Sequence, residues 1–260
     1  MLAQFDSHGG TAVSYLHDHY ARFIETRRRL TPRLDHRRDS RILDIGAHWL
    51  HQSLVYAMDG FEVTALDLPD TLELAQVKEL ARAHGIQLLP NADLAHPGAL
   101  AGTPDDSFDI VLFTEVIEHL AFNPVAMWRE IYRVLKPGGC IVVTTPNYYA
   151  LRSRLRQWLR AIQLLGGGIG VEQILSLHTL SHHWKEFSRR EIVRYFHLLS
   201  PDFTCRNIGY IEKQSASLKL RHGGGILLWI ERILPPMRPD LYVEIELTGK
   251  ASGITLEPRW

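Results

Sequence analysis

Between Arg41 and Asn147 the sequence alternates between short apolar segments and longer amphipathic segments, and this alternation constrains the fold more than any other feature. The apolar segments are typical of β-strands, and they read RILDI, FEVTALD, IQLLPNAD, FDIVLFT and CIVVTT. Neighbouring parallel strands need a crossover connection, which is normally a helix. The alternation therefore predicts an α/β fold with a doubly wound, mostly parallel sheet in a three-layer αβα arrangement.

Local signals predict where the first helices begin and end. The apolar spacing from Thr11 to Leu30 predicts an amphipathic helix, and we expect Pro32 and the charges around it to end this helix in a solvated linker. Asp70 and Glu73 are spaced as a capping box for a helix that Gly85 ends.

The sequence after Asn147 differs in character. It predicts an amphipathic helix with an arginine stripe, a further helical piece, and a helix that a capping box opens between Ser188 and Glu191. Two late strands, FTCRNIGYI and LYVEIELT, are expected to complete the sheet in antiparallel fashion. We divide the chain into an N-terminal helix and linker (1–40), a ligand-binding core (41–147), a helical insertion or lid (148–187) and a C-terminal completion of the sheet (188–260).

Composition narrows the classes of function. Lys+Arg and Asp+Glu number 29 each, so the chain lacks the positive field of a general nucleic-acid binder, and no nucleic-acid partner is expected. Cys140 and Cys205 are too few for a disulfide framework and offer no metal-ligand spacing, so we expect a reducing, cytoplasmic environment and no metal. No signal peptide and no membrane-spanning run of about 18 apolar residues is expected either.

Acidic residues follow four of the predicted strands: Asp44, Asp67, Asp93 and Glu115. Ligands of open α/β sheets bind outside the carboxyl ends of the strands, where these acids would converge. Asp67 also comes 21 residues after Gly46, the separation at which an acid meets a ribose diol in a nucleotide site. Each acid alone could simply cap a helix, but four in succession predict a nucleotide-like ligand.

The turn after the first strand indicates which ligand. A dinucleotide site has several glycines and a bare helix N-terminus for pyrophosphate, whereas this turn has only Gly46, with Asp44 two residues before it. A carboxylate is a poor neighbour for phosphate and a good one for an ammonium group. S-adenosylmethionine carries an ammonium group, a sulfonium, a ribose and an adenine.

Several segments together resemble the class I S-adenosylmethionine-dependent methyltransferases, which have a Rossmann-like sheet. They are ILDIGA, VTALDL, NADL, FDIVLFTEVIEHL and LKPGG followed by VVTTPN. The resemblance is closest to the small-molecule O-methyltransferase branch that includes ubiquinone-biosynthesis and polysaccharide-cluster enzymes. HWKEFSRREI is similar to that branch's H-x-R-E-[FY]-[ST] segment, with Lys185 in place of arginine. The likeness extends from Arg41 to Thr204, and the order and spacing of the motifs are more specific than any one of them.

The resemblance implies a cofactor site built from Asp44, Gly46, Ala47, His48, Asp67, Leu68, Asp93, Leu94, Thr114 and Glu115. Asp44 and the Gly46 turn would border the methionine part of S-adenosylmethionine. Asp67 would accept hydrogen bonds from both ribose hydroxyls, which are charge-assisted and therefore strong. Asp93 would flank the adenine, and the backbone around Glu115 would receive the amino group.

His48 and Leu50 stand where the family pattern has glycine, which lets the backbone approach a ligand closely or take a positive φ. Either the helix begins earlier and these side chains point away, or the rings of His48 and Trp49 line the pocket. In a plainer interpretation, Trp49 and Leu50 pack under the helix and His48 is solvated. A degenerate, inactive site is a further alternative.

Two histidines are the candidates for catalysis. His119 follows the fourth strand, and His183 lies in the segment expected to close over the site. Histidine is a suitable base near neutral pH for a hydroxyl acceptor, and Glu118 could orient it. Both histidines could instead hold loops by hydrogen bonds.

The insertion from Tyr148 to Leu180 is expected to set the substrate. Its first helix, within 148–165, either lies on an anionic membrane or acts as a lid with its apolar face on the pocket and its arginines in water. We favour the lid.

The sequence thus predicts a methyltransferase acting on a hydroxyl of a small molecule, glycan or lipid-linked acceptor. The alternative is a catalytically silent methyltransferase-like binding or scaffold protein. An NAD-dependent oxidoreductase is disfavoured by Asp44 and the single glycine.

Overall fold

The computed structural model describes residues 10–35, 39–91, 93–96, 100–164, 168–212 and 224–258. The helices are α1 (Gly10–Leu34), α2 (His51–Ala57), α3 (Pro69–Leu72), α4 (Ala75–His84), α5 (Val125–Val134), α6 (Leu151–Ile162), α7 (Val171–Ser176), α8 (Arg189–Leu199) and α9 (Gly224–Ile233). The strands are β1 (Arg41–Ile45), β2 (Glu62–Asp67), β3 (Gln87–Pro90), β4 (Phe108–Thr114), β5 (Leu135–Pro146), β6 (Phe203–Ile211) and β7 (Asp240–Leu247). Short 3-10 turns lie at Ile117–His119, Thr179–Ser181 and Pro235–Met237.

The strands form one seven-stranded sheet in the order β3-β2-β1-β4-β5-β7-β6. The first five strands are parallel, and β7 pairs antiparallel with both β5 and β6. The predicted Rossmann-like, doubly wound sheet with an antiparallel C-terminal addition is therefore confirmed. Since the order reverses at β1 and β4, their carboxyl ends flank the crevice where ligands of such sheets bind.

Two hydrophobic clusters cover the two faces of the sheet. One face carries α1, α2 and α4, and the other carries α5 and α8. Alternate strand residues enter opposite clusters, as Ile42 and Leu43 of β1 do, and every residue of β4 is buried. This burial on both faces is why the β4 sequence reads as one continuous apolar run.

Helix α1 departs from its prediction because it continues through Pro32 to Leu34. Proline within a helix costs about 3 kcal/mol through a lost hydrogen bond and a clash with the preceding turn. Tertiary contacts offset that cost: Leu30 and Leu34 are fully buried, and Arg33 donates to the carbonyl of Gly138 at 3.0 Å. The predicted helix end at Pro32 is therefore wrong, and residues 36–38 of the predicted linker lie outside the described residues.

The capping box at Asp70 and Glu73 is also wrong, because α3 begins at Pro69 and the chain starts a second helix, α4, after Leu74. Proline fits the first helical position with its preset φ, which places Asp70 inside the first turn. By contrast, Gly85 ends α4 with a positive φ of 66° as predicted.

The capping box that opens α8 is confirmed. Ser188 accepts from the backbone N–H of Glu191, and Glu191 accepts from the backbone N–H of Ser188. This cap anchors the chain where it returns from the insertion to the core.

Phe23 is predicted to hold α1 on the sheet, because it is buried and its ring stacks on His51 at 5.8 Å. Phe23→Ala should lower the free energy of unfolding by about 3 kcal/mol, measured by urea denaturation. Tyr20→Ala, on the exposed side of the same helix, should change it by less than about 0.5 kcal/mol. Equal effects of the two substitutions would mean that α1 does not pack as described.

Candidate functional site

The turn after β1 is tied to the end of β2. The backbone N–H groups of Gly46 and Ala47 donate to the carbonyl of Leu66 at 2.9 and 3.3 Å, and the N–H of His48 donates to Asp67 Oδ2 at 2.6 Å. These bonds bring the Gly46 turn and the Asp67 carboxylate together at the carboxyl edge of the sheet, as the sequence predicted.

The same turn keeps a glycine-like backbone although it has lost glycines. Gly46, His48 and Leu50 have φ values of 78°, 47° and 64°, and the last two are unusual for residues with a side chain. The helix does not begin early, because α2 starts at His51, so that alternative is wrong. Leu50 is buried in the core under α2, as the plainer interpretation expected.

The ring of His48 is not solvated. It is largely buried and packs against the ring of Trp49, with centroids 3.9 Å apart, and against Tyr15 of α1 at 5.2 Å. Burial lowers the pKa of His48, so that its imidazole is neutral at pH 7. The interpretation that His48 and Trp49 line a pocket stays a prediction, to which we return below.

Asp44 is buried at the end of β1 and accepts from the hydroxyl of Ser53 at 2.6 Å. Burial raises the pKa of this carboxyl from its usual 3.8 to about 7, and the nearby Asp67 carboxylate adds to the shift. Because the folded state holds this proton more tightly than the unfolded state, the effect lowers stability progressively from about pH 4 to about pH 7. A bound cation beside Asp44 would favour the ionised form.

Asp67 is only partly buried, and each of its oxygens already accepts one backbone hydrogen bond. Oδ2 accepts from His48 and Oδ1 accepts from the N–H of Leu68, both at 2.6 Å. A carboxylate offers about four acceptor positions. The two bonds therefore fix the orientation of Asp67 and leave capacity for a diol.

Asp93 lies beyond β3, which ends at Pro90, and its side chain is exposed. Its carboxylate accepts from the N–H of Ala95 at 2.7 Å and bonds His96 at 2.6 Å. Leu94 packs against the core beside this turn. The structure thus gives Asp93 a capping role within its own turn, and contact of Asp93 and Leu94 with adenine remains a prediction.

Arg22 of α1 was missed by the sequence analysis. Its guanidinium is buried and lies 2.8 Å from the carboxylate of Glu115, which follows β4 with a positive φ of 56°. Burial alone would lower the pKa of Arg22, but Glu115, Tyr15 and Asp240 together outweigh it and raise that pKa. Nothing in the sequence around Arg22 distinguishes it from the other arginines of α1, so only the packing of the helix reveals it.

Glu118, His119 and His183 form a second cluster at the edge. Glu118 is fully buried and accepts from the hydroxyl of Thr145 at 2.9 Å, and burial raises its pKa well above the ordinary value. The rings of His119 and His183 are 4.7 Å apart in a T-shaped contact. The structure thus brings together the two histidines predicted for catalysis.

This cluster could also hold a cation. One donor atom from each of Glu118, His119 and His183 lies within 4.8 Å of the others, which is compatible with a shared divalent metal. The sequence analysis named these three residues together at the site but expected no metal there.

Buried polar atoms without hydrogen-bond partners among the described residues gather at this edge. They include Asp44 Oδ1, His48 Nδ1, Glu115 Oε1, Glu118 Oε1, Thr144 Oγ1 and Arg22 Nε. Buried polar groups are normally satisfied, so this concentration indicates a place that binds a polar ligand. The carboxyl groups of Asp44 and Glu115 would fit the ammonium group of S-adenosylmethionine, and the guanidinium of Arg22 would fit its carboxylate.

Comparison with known proteins agrees with the predicted family. The sequence pattern of a family described as a methyltransferase domain matches residues 15–196. A ubiquinone biosynthesis O-methyltransferase of Xanthomonas oryzae pv. oryzae is 32% identical over 151 residues, which are 57% of this chain and 56% of that protein. The chain therefore aligns with little more than half the length of the curated relatives it matches.

Solved structures share the fold at low sequence identity. A Burkholderia thailandensis 1,6-didemethyltoxoflavin-N1-methyltransferase, solved with 1,6-didemethyltoxoflavin and S-adenosylhomocysteine, has a TM-score of 0.59 at 15% identity and covers 95% of this chain and 87% of its own. A SAM-dependent methyltransferase from Archaeoglobus fulgidus has a TM-score of 0.53 at 17% identity, with 89% and 98% covered.

Gly46 is predicted to be essential to the turn. A Cβ there would lie 2.5 Å from Val116 Cγ2, and the φ of 78° disfavours any side chain. Gly46→Ala should lower the free energy of unfolding by about 2 kcal/mol or more in urea denaturation. Gly60→Ala is the matched control, because its φ is 89° but nothing lies within 4 Å of the added atom. It should cost about 1 kcal/mol, and an equal loss for both would show that Val116 does not confine the turn.

Proposed function

The chain belongs to the methyltransferase-domain family and to its class I, S-adenosylmethionine-dependent type, and we propose that it transfers the cofactor's methyl group to a hydroxyl of a small-molecule acceptor. The observation that carries the proposal is the grouping of the Gly46 turn, the edge carboxylates and the paired histidines at one edge of the sheet. The O-methyl outcome is supported by the similarity to ubiquinone biosynthesis O-methyltransferases.

Different residues at the carboxyl edge of the sheet would bind different parts of the cofactor. Asp67 would accept from the ribose hydroxyls, and Asp44 with the Gly46 turn and the backbone at Thr114 and Glu115 would face the ammonium group. Arg22, held by Glu115, would bind the methionine carboxylate. S-adenosylmethionine supplies an activated methyl group on a sulfonium, and these residues orient it for in-line transfer.

His119 has the tautomer that a base requires. Its Nδ1 lies 3.1 Å from the carbonyl of His182, an acceptor, so Nδ1 carries the proton and Nε2 is free to accept one. Burial, aided by His183, lowers the pKa of His119, so that the ring is neutral at pH 7. Nε2 lies 3.9 Å from Glu118 Oε1, which would stabilise the protonated ring once Glu118 is ionised.

In the proposed reaction, every proton and electron pair has a defined destination. The acceptor hydroxyl gives its proton to His119 Nε2 while its oxygen forms a bond to the methyl carbon. The bound cofactor would supply the methyl group: its carbon–sulfur bond would break, and the electron pair would stay on sulfur as the neutral thioether of S-adenosylhomocysteine. His183 lies close enough to His119 to orient the acceptor or to take over the proton.

The cofactor and the base can be tested separately. Calorimetric titration with S-adenosylhomocysteine should show binding, and S-adenosylhomocysteine release should follow addition of S-adenosylmethionine and a panel of phenols, catechols and sugars. His119→Ala should lower kcat by about 100-fold and leave cofactor affinity unchanged, because a positioned base contributes at least that much. His183→Ala should reduce kcat less than His119→Ala does.

The control is His197→Ala, an exposed histidine on α8, which should leave kcat unchanged. Absence of cofactor binding by the unaltered chain would favour the silent scaffold alternative. If His119→Ala binds the cofactor and keeps the kcat of the unaltered chain, His119 is not the base.

We propose further that the acceptor reaches the enzyme at a lipid surface, through α6 and α9. The apolar face of α6 is exposed: Leu155, Trp158, Leu159 and Ile162 all face solvent, with Trp158 73% exposed. The prediction that this face lies on the pocket is therefore wrong. On the neighbouring helix α9, Trp229 is 62% exposed.

The charges around this face favour an anionic membrane. Helix α6 carries Arg152, Arg154, Arg156 and Arg160 and no acidic residue of its own, and its Arg154 pairs with Glu186 at 3.0 Å. Arg152 pairs with Glu231 of α9 at 3.0 Å and thereby holds the two helices side by side. Such a surface is typical of interfacial helices. No helix in the described ranges is long and apolar enough to cross a bilayer, and a cytoplasmic location stays a proposal.

Vesicle co-sedimentation tests the surface. The unaltered chain should bind vesicles of equal parts phosphatidylcholine and phosphatidylglycerol more than pure phosphatidylcholine vesicles. Trp158→Ser with Trp229→Ser should lower the bound fraction by about fivefold or more, because both bury apolar area in the interface. Leu198→Ser, exposed on α8, should have no effect. If the unaltered chain stays in the supernatant with both vesicles, the membrane proposal is wrong.

A further inference from the structure

An aromatic cluster joins α1 to the turn after β1. The ring centroid of Tyr15 lies 5.2 Å from that of His48 and 5.6 Å from that of Trp49, and the last two lie 3.9 Å apart. Tyr15 is more than thirty positions earlier in the chain than its partners. The Tyr15 ring also contacts His19 at 4.2 Å and stacks on His51 at 5.6 Å. The cluster exists because the N-terminal part of α1, which packs on one face of the sheet, reaches the turn after β1.

The position of Tyr15 links two parts of the predicted cofactor site. On one side it contacts His48, whose backbone N–H is bonded to Asp67, the predicted ribose acceptor. On the other side its hydroxyl lies 3.5 Å from the guanidinium of Arg22, which pairs with Glu115. A ligand extending from Asp67 to Glu115 would pass beside the Tyr15 ring.

His48 shows two features of a residue that binds a ligand. It has a positive φ of 47° without being glycine, and such strain persists where the surrounding structure requires it, often at ligand sites. Its Nδ1 is also buried and has no hydrogen-bond partner among the described residues. A neutral imidazole can either donate or accept through this atom.

We propose that Tyr15, His48 and Trp49 form an aromatic clasp that binds S-adenosylmethionine in place of the missing glycines. Nδ1 of His48 bonds a ribose hydroxyl beside Asp67, and the face of the Tyr15 ring contacts the sulfonium cation. The clasp rests on the proposed function and adds a selectivity to it. Because a cation is attracted to an aromatic face, the clasp favours S-adenosylmethionine over the neutral product S-adenosylhomocysteine.

Calorimetric titration with both ligands tests the clasp. Tyr15→Leu should weaken S-adenosylmethionine binding about tenfold and S-adenosylhomocysteine binding less than about threefold, whereas Tyr15→Phe should change neither much. His48→Gly should weaken both about tenfold, because the ribose is common to them. It should melt at the same or a higher temperature, since glycine accepts the positive φ.

Tyr20→Leu, a tyrosine on the exposed side of α1, is the matched control and should bind both ligands as the unaltered chain does. The inference is overturned if His48→Gly or Tyr15→Leu binds as tightly as the unaltered chain or more tightly, since the rings would then be bystanders or an obstruction. If Tyr15→Leu lowers the affinity for both ligands equally, Tyr15 does not contact the sulfonium. Should Tyr15→Leu fail to fold, His48→Gly still decides the outcome. Absence of binding by the unaltered chain would instead count against the proposed function.

Discussion

The hydrogen bonds between the turn after β1 and the end of β2 are the constraint on which the carboxyl edge of the sheet depends. The backbone N–H of Gly46 donates to the Leu66 carbonyl, and the backbone N–H of His48 donates to the Asp67 carboxylate. The turn can then keep its positive φ values although two of the residues concerned are not glycine. The substituted residues are stabilised by what they contact: Leu50 lies in the core, and the His48 ring packs against an aromatic cluster with α1.

The edge that results contains more buried carboxyl groups than buried cations among the described residues. Burial raises the pKa of Asp44 to about 7 and that of Glu118 well above its usual range, while Arg22 neutralises Glu115. A ligand with a positive charge at these positions would favour the ionised form of Asp44 and Glu118 over the protonated form. The same edge places His119, whose Nδ1 is hydrogen-bonded to the His182 carbonyl, with its Nε2 3.9 Å from Glu118 Oε1. Under the proposed function, cofactor recognition and proton transfer would use one set of charges.

Prediction from sequence succeeded where local pattern and burial agree. The run FDIVLFT is β4, and Ser188 with Glu191 caps α8, because each signal involves residues that are adjacent or one turn apart. It failed where distant contacts outweigh local preference. Helix α1 passes through Pro32 because Leu30 and Leu34 are buried beneath it, and the apolar face of α6 lies open instead of covering a pocket.

The sequence by itself determined the class of fold and the acids that follow the strands, since both depend on periodicity and spacing along the chain. It also carried the motifs whose resemblance indicated the family. Only the tertiary structure decided which side chains from distant segments meet at the candidate site. Arg22 and Tyr15 come from the first helix and His183 from the insertion, and each reaches the edge only when its element packs there. The physical reason is that contacts across the edge depend on the packing of α1 and of the insertion against the sheet, and no local pattern in the sequence encodes the distance between them.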